Sequence, residues 1–265
     1  MLPTPDTSHV PFERVYEPAE DSYLLLDTLS APSETQFLTS RFGTTTPPSS
    51  SSPLPTPAAP LVVEIGTGSG VVVAFITAHA LTLFGTPHVL TSGVDLNGHA
   101  CKATNSTVLR ARTENLATSS QSWLGAAMGD LTAPLKEGSV DVLVFNPPYV
   151  PSPELPAQTS GALVADGERK TTFDEDSYLL SLSYAGGQDG METTDRLIEA
   201  LPGVLSQRGC AYILLCAQNK PEEVKARIER LGGGWRAITV GESGKKAGWE
   251  KLQIVRVWRD GQHEP

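Results

Sequence analysis

Directly after the apolar run Asp141-Val142-Leu143-Val144-Phe145 the sequence reads Asn146-Pro147-Pro148-Tyr149. A planar NH2 nitrogen, as in a carboxamide or in adenine, is a poor nucleophile because its lone pair is delocalised. A site acting on it must therefore hold it in place. The side-chain oxygen of Asn146 and the carbonyl of Pro147 can each accept one N–H bond, which leaves the nitrogen's remaining lobe facing a methyl donor. Pro147 and Pro148 stiffen that geometry, and Tyr149 offers an aromatic face for the substrate plane. Asparagine accepts hydrogen bonds without first taking up a proton, so attack can be an in-line displacement at a sulfonium methyl.

Upstream, Glu64-Ile65-Gly66-Thr67-Gly68-Ser69-Gly70 closes another apolar run with glycines that let the backbone turn tightly and approach a ligand. Such a turn alone could bind a dinucleotide or be a tight strand-to-helix connection. The spacing is GxGxG rather than GxGxxG. Glu64 ahead of it would repel a pyrophosphate, yet suits the ammonium of a methionine moiety near a cationic sulfonium. That tilts the cofactor toward S-adenosyl-L-methionine. Asp95, in Gly93-Val94-Asp95-Leu96-Asn97, can accept both ribose hydroxyls of an adenosyl group, with Leu96 in the same pocket. Asp130 can accept from the adenine amino group while Leu131 packs on the ring. Read singly, Asp130 is as well explained as an ordinary loop aspartate.

These residues need strand ends to sit on, and the chain supplies them. A single domain over residues 1–265 is expected. Residues 1–15 read as an N-terminal tail and 19–29 as a helix that follows Pro18 and opens with acidic residues. Residues 30–60, rich in Ser, Thr and Pro, read as an insertion too poor in apolar surface to offset ordering entropy, its second half flexible. Beyond them short β-type runs at 61–65, 88–95, 123–129, 140–145, 211–216, 237–241 and 252–258 alternate with helical patterns at 71–83, 98–116, 194–205 and 221–231. The fold class this predicts is α/β, a seven-stranded mostly parallel sheet with a reversed C-terminal strand. A further insertion is read at 164–178, near the place where substrate should enter.

Net charge and the remaining residues exclude several functions. The charge of −10, from 30 acidic and 20 basic residues without a long single-sign run, argues against a duplex-binding face. Cys101, Cys210 and Cys216 have no CxxC spacing, and His9, His79, His88, His99 and His263 are scattered. No disulfide framework and no metal site are expected. The most apolar stretch, 71–84, is too short for a membrane span, and the N-terminus lacks a signal core. A soluble protein in a reducing compartment is predicted, in the cytoplasm with the nucleus as a second location.

Together, Tyr16-Glu17-Pro18-Ala19-Glu20-Asp21-Ser22, the EIGTGSG turn, Asp95, Asp130, NPPYVP and Ala185-Gly186-Gly187-Gln188-Asp189-Gly190 resemble the HemK-like, PrmC-related glutamine methyltransferases, in their eukaryotic branch. These modify the GGQ motif of translation termination factors. The resemblance implies a Rossmann-like class I S-adenosylmethionine-dependent methyltransferase. It implies that Tyr16 to Ser22 form a wall over the cofactor, with Ser22 near the methionine carboxylate, and that Asn146 to Tyr149 hold the glutamine amide. AGGQDG would shape the substrate cleft. It also implies two partners. One is the class-1 release factor as substrate; the other is a small zinc-binding activator, added as a strand beside the edge near 122–129, where Trp123 and Leu124 could be sticky. Two departures stand out: the insertions at 30–60 and 164–178, and the lack of room before Tyr16 for the helical domain of bacterial members. NPPY also occurs in DNA adenine methyltransferases. Adenine-N6 methylation of nucleic acid and lysine methylation of protein are therefore the competing activities. A non-catalytic scaffold would be expected to have lost Glu64, Asp95, Asp130 or Asn146, and GxGxG with NPPY disfavours a nicotinamide oxidoreductase.

Overall fold

The computed structural model describes residues 2–43, 58–114, 122–156, 171–244 and 251–260. Its strands are β1 (Leu61–Ile65), β2 (Leu90–Asp95), β3 (Ser122–Met128), β4 (Val140–Phe145), β5 (Leu205–Cys216), β6 (Trp235–Glu242) and β7 (Leu252–Arg259). They form one sheet of order β3-β2-β1-β4-β5-β7-β6. Neighbours from β3 to β5 run parallel, while β7 lies antiparallel to both β5 and β6. The expected α/β sheet with a reversed C-terminal strand is thus present. Chain order switches direction between β1 and β4, and their carboxyl ends open the crevice where ligands bind in such sheets.

Period-two alternation splits each central strand between two cores. Val62, Val142, Val144, Tyr212 and Leu214 face α1 (Glu20–Ser30), α2 (Pro32–Phe42), α3 (Val71–Ala78) and α4 (Ala80–Phe84). Val63, Leu143, Phe145, Ile213 and Leu215 face α7 (Glu192–Val204) and α8 (Pro221–Glu229). β4 is buried at every position, which its continuous apolar run required. α5 (Gly98–Glu114) packs on α3 through Val73, Ala74, Val108 and Ala111. The remaining helix, α6 (Phe173–Tyr184), follows the NPPY segment.

Several boundaries differ from the sequence reading. The helix expected over 71–83 is two, broken at His79, whose ring donates to the Pro3 carbonyl at 2.9 Å and stands edge-on to Phe75. Leu205 begins β5 rather than ending α7, because it pairs with Val140. Residues 115 and 116 of the expected third helix, and residues 44–57 of the expected flexible loop, lie outside the described residues.

The segments read as tail and insertions are ordered over much of their described length. In the first half of 30–60, α2 is an ordered helix that buries Glu34, Leu38 and Phe42. Glu34 Oε2 accepts from the Tyr212 hydroxyl at 2.9 Å and from Arg256 Nη1 at 2.6 Å, and Phe37 packs under the Arg256 guanidinium at 3.7 Å. Few apolar residues suffice because buried polar pairs complete the seat. Residues of the supposed tail lie on the body, with Val10 and Val15 buried against Ala100 and Ala103. Within 164–178, residues 171–178 carry Thr172 and the first turn of α6, and residues 164–170 lie outside the described residues. Thr172 and Glu175 cap α6 reciprocally, an S/T-x-x-E start that the sequence displays.

Candidate active site

Asn146 directly follows β4, where the strand's carboxyl edge meets the crevice. Its Nδ2 donates to Asp21 Oδ2 at 3.1 Å, across 125 residues of sequence. Its Oδ1 is buried without a hydrogen-bond partner among the described residues. A buried acceptor left unpaired is costly, and here it belongs to a side chain lining the cleft at these strand ends. The arrangement leaves one acceptor ready for an incoming N–H.

The NPPY backbone is held from behind. Asn219 Nδ2 donates to the Tyr149 carbonyl at 3.2 Å and to the Asp189 carbonyl at 2.9 Å. Gly186 N–H donates to the Val150 carbonyl at 2.8 Å. The glycines of AGGQDG allow this: a Cβ on Gly190 would stand 2.0 Å from the Tyr149 carbonyl oxygen, and one on Gly186 2.3 Å from that of Pro148. The AGGQDG loop braces the NPPY turn, and its first residue, Ala185, lines the cavity.

The glycine turn leads from β1 into α3. Gly66 and Gly68 have positive φ, and Gly68 N–H donates to Asp95 Oδ2 at 2.9 Å. Asp95 Oδ1 accepts from Asn97 N–H at 2.8 Å. Burial raises the Asp95 carboxyl above its ordinary value, and these hydrogen bonds pull it back. Glu64 Oε2 accepts from Val73 N–H in the first turn of α3 at 2.9 Å. Burial pushes the Glu64 carboxyl well up; the Val73 bond opposes this and neighbouring Asp95 adds to it. No cationic side chain among the described residues pairs with Glu64, so a positive group entering the cavity would find there a buried acid able to ionise against it. This donor and acceptor set fits S-adenosylmethionine: Glu64 for the methionine ammonium, Asp95 for the ribose hydroxyls.

Asp130 and Leu131 follow β3, Leu131 with φ of 51°. Asp130 Oδ2 is taken by Arg196 Nη2 at 2.6 Å, a partner the sequence does not announce. One cavity is lined by Tyr16, Ser22, Glu64, Gly66, Gly68 and Asp95. Leu96, Asp130, Leu131, Asn146 and Pro148 complete it among the residues singled out in the sequence. Three others do not line it. Gly70, at φ 78°, serves packing, since a Cβ there would stand 2.6 Å from Thr104 Cα. Pro147 is buried behind the turn. Tyr149, expected as a face for the substrate plane, packs against the α1–α4 core, with its hydroxyl 3.5 Å from Asp21 Oδ2.

Four contributors escape the sequence reading. Asp21 reads as a first-turn acid within a motif, and nothing in the sequence links it to Asn146. Asn219 sits in a short turn after β5 with no motif of its own. Arg196 lies on the polar side of α7, and α6 adds Leu179 and Leu182 as a wall just beyond the segment read as an insertion. No three His, Cys, Asp or Glu side chains cluster as a metal site among the described residues, and no described helix is long and apolar enough to cross a membrane.

No profile of a known protein family matches the chain. Individual relatives do. The chain is 30% identical over 267 residues to the eRF1 methyltransferase catalytic subunit mtq2 of Schizosaccharomyces pombe, covering 98% of this chain and 97% of that protein. It is 30% identical to the mouse methyltransferase HEMK2 over 96% of both chains. It is 29% identical to a putative protein N5-glutamine methyltransferase of Methanocaldococcus jannaschii over 92% of both. With identity of this level end to end, on a sheet that gathers Glu64, Asp95 and Asn146 at one crevice, the chain belongs to the eukaryotic HemK-like family of S-adenosylmethionine-dependent protein-glutamine methyltransferases.

Proposed function

We propose that this enzyme methylates the side-chain amide nitrogen (N5) of the glutamine in the GGQ motif of the eukaryotic class-1 release factor, as catalytic subunit of a heterodimer with a small zinc-binding activator. The observation that carries the reading is the orphaned Oδ1 of Asn146, an acceptor placed for one amide N–H of a substrate and relieved by it. The second N–H is assigned to the Pro147 carbonyl on the sequence pattern alone, since Pro147 is not among the residues lining the cavity. With both N–H bonds turned to the protein, the amide nitrogen presents its π lobe along one direction, and proximity replaces intrinsic nucleophilicity. S-adenosylmethionine supplies the electrophilic methyl group when bound. Glu64 and Asp95 hold its two ends, between apolar side chains of Leu131, Leu179 and Leu182. In the displacement the nitrogen–carbon bond forms as the sulfur–carbon bond breaks, and the nitrogen loses one proton to solvent.

The release factor as substrate is supported by the name of the S. pombe relative. An activator at β3 is supported by the strand's position at the sheet edge, where Leu124 and Met128 are half exposed. Trp123, by contrast, is engaged within the chain, its Nε1 donating to Asn105 Oδ1 at 2.9 Å. Acting on a termination factor, the enzyme works in the cytoplasm. The test is transfer of labelled methyl to purified release factor, with and without the activator, the label located by mass spectrometry. Label on the GGQ glutamine, lost in Asn146→Ala while cofactor binding persists, is the expected result. Label on lysine or DNA instead, or a near-normal rate in Asn146→Ala, would sink the proposal.

A further inference from the structure

We infer that Asp21 is the positioning residue that sets which way the Asn146 amide faces, and so makes the site competent for an NH2 substrate. The inference rests on the role proposed above for Asn146. Asp21 lies in the first turn of α1 and is buried, 3% exposed. Its Oδ2 accepts from Asn146 Nδ2 at 3.1 Å and from the Tyr16 hydroxyl at 2.8 Å. Its Oδ1 accepts from Ser22 N–H and, at 3.1 Å, from Ser22 Oγ.

A carboxylate in such a place offers acceptors and no donor. The edge of Asn146 that meets it must then be the NH2 edge, and the oxygen edge is turned to the other side, where it is buried and unpartnered among the described residues. Rotating the Asn146 amide by half a turn would set two acceptors face to face at Asp21 and present an NH2 group to a substrate NH2. Neither contact is attractive, so the carboxylate selects the one orientation that can accept. The tyrosine hydroxyl and the Ser22 groups anchor the carboxylate in turn. Asp21 touches neither the substrate nitrogen nor the methyl group. It acts through Asn146.

Asp21→Asn tests this in the full chain with its activator, because the new amide can donate to Asn146 and stabilise the flipped state. The expected result is a fall in kcat of about 100-fold, the scale seen when a single oriented hydrogen-bonding group is lost from a site, with the S-adenosylmethionine dissociation constant little changed. In an Asn146→Ala background Asp21→Asn should cause no further loss, whereas a purely structural role would multiply the two losses. A near-normal kcat for Asp21→Asn, or multiplied losses, overturns the inference. If Asn146→Ala itself keeps its rate, the reading beneath falls, and this is seen separately from the Asp21 result. Should Asp21→Asn fail to fold, proton exchange of the Asn146 side-chain amide in the wild-type protein decides. Slow exchange of one amide proton is expected, and two freely exchanging protons would overturn the hydrogen bond on which everything turns.

Discussion

Glu34 and Arg256, 222 residues apart in sequence, meet at 2.6 Å beneath α2, with the Tyr212 hydroxyl on the same carboxylate oxygen. Both charged side chains are almost fully buried, and Arg256 is sandwiched near the rings of Phe37 and Trp258. Removing one partner of such a pair strands the other charge, whereas removing both does not. Glu34→Ala is expected to lower unfolding free energy by about 3–5 kcal/mol. The double variant Glu34→Met/Arg256→Met should lose less than the single. Urea denaturation of the three proteins checks this, and a double variant weaker than Glu34→Ala would contradict it.

The buried Glu64 makes cofactor binding depend on pH. Burial raises its carboxyl well above the ordinary glutamate value, so the folded protein favours the protonated acid. As pH rises from that ordinary value through the raised one, the protein without cofactor loses the stability that the neutral acid gave. A bound ammonium favours the carboxylate and restores it. S-adenosylmethionine should therefore bind more tightly as pH rises through this window and release protons as it does so. Calorimetry in two buffers of different ionisation enthalpy measures the release. Glu64→Gln should bind about 10–100-fold more weakly, as loss of a charged hydrogen bond implies, and show a flatter pH profile.

Asp130 and Arg196 form a half-exposed pair, worth less than about 1 kcal/mol to stability because solvent screens it. Arg196→Ala should leave the melting temperature nearly unchanged. If Asp130 receives the adenine amino group, Asp130→Ala weakens cofactor binding by about tenfold, one hydrogen bond's worth, while Arg196→Ala binds no less tightly than wild type. Isothermal titration with both variants separates the two roles.

Two glycines with similar backbone angles should respond differently to alanine. Gly138 has φ of 64° and open space where an added methyl would stand, so Gly138→Ala should cost about 1–2 kcal/mol from the left-handed conformation alone. Gly70, at φ 78°, faces Thr104 Cα at 2.6 Å, and its substitution must also push α3 from α5. Overpacking adds about 1–3 kcal/mol. Thermal unfolding of the two variants should rank them in that order, with cofactor affinity disturbed for Gly70→Ala and unchanged for Gly138→Ala.

The strand ends are legible in the sequence because chemistry and pattern agree there: a buried run closes with Glu64 next to last, with Asp95 last, or with Asn146 directly after it. Legibility fails where partners are remote in the chain. α2 reads as polar because its seat is made by Tyr212 and Arg256, which no local pattern reveals. Asp21 reads as an acid at a helix start, a role that many exposed acids fill, and its tie to Asn146 exists only once α1 lies over the crevice. Tyr149 shows another limit, since the sequence offers it as a face for substrate and does not show that part of the ring packs on the core.

β6 precedes β7 in the chain yet reaches the sheet only through it. During synthesis β6 therefore emerges with no sheet partner, and the free side of β5 stays an open edge until β7 follows. The residues lining the cofactor cavity, from Arg14 to Arg196, have all been translated by then. α1, which carries Asp21 and Ser22, rests on β6 and β7, and α2 waits for Arg256 to complete its seat. A nascent chain thus holds every described residue that lines the cavity well before it holds the surface that sets α1 in place, and the seat of α1 is completed with the reversed strand.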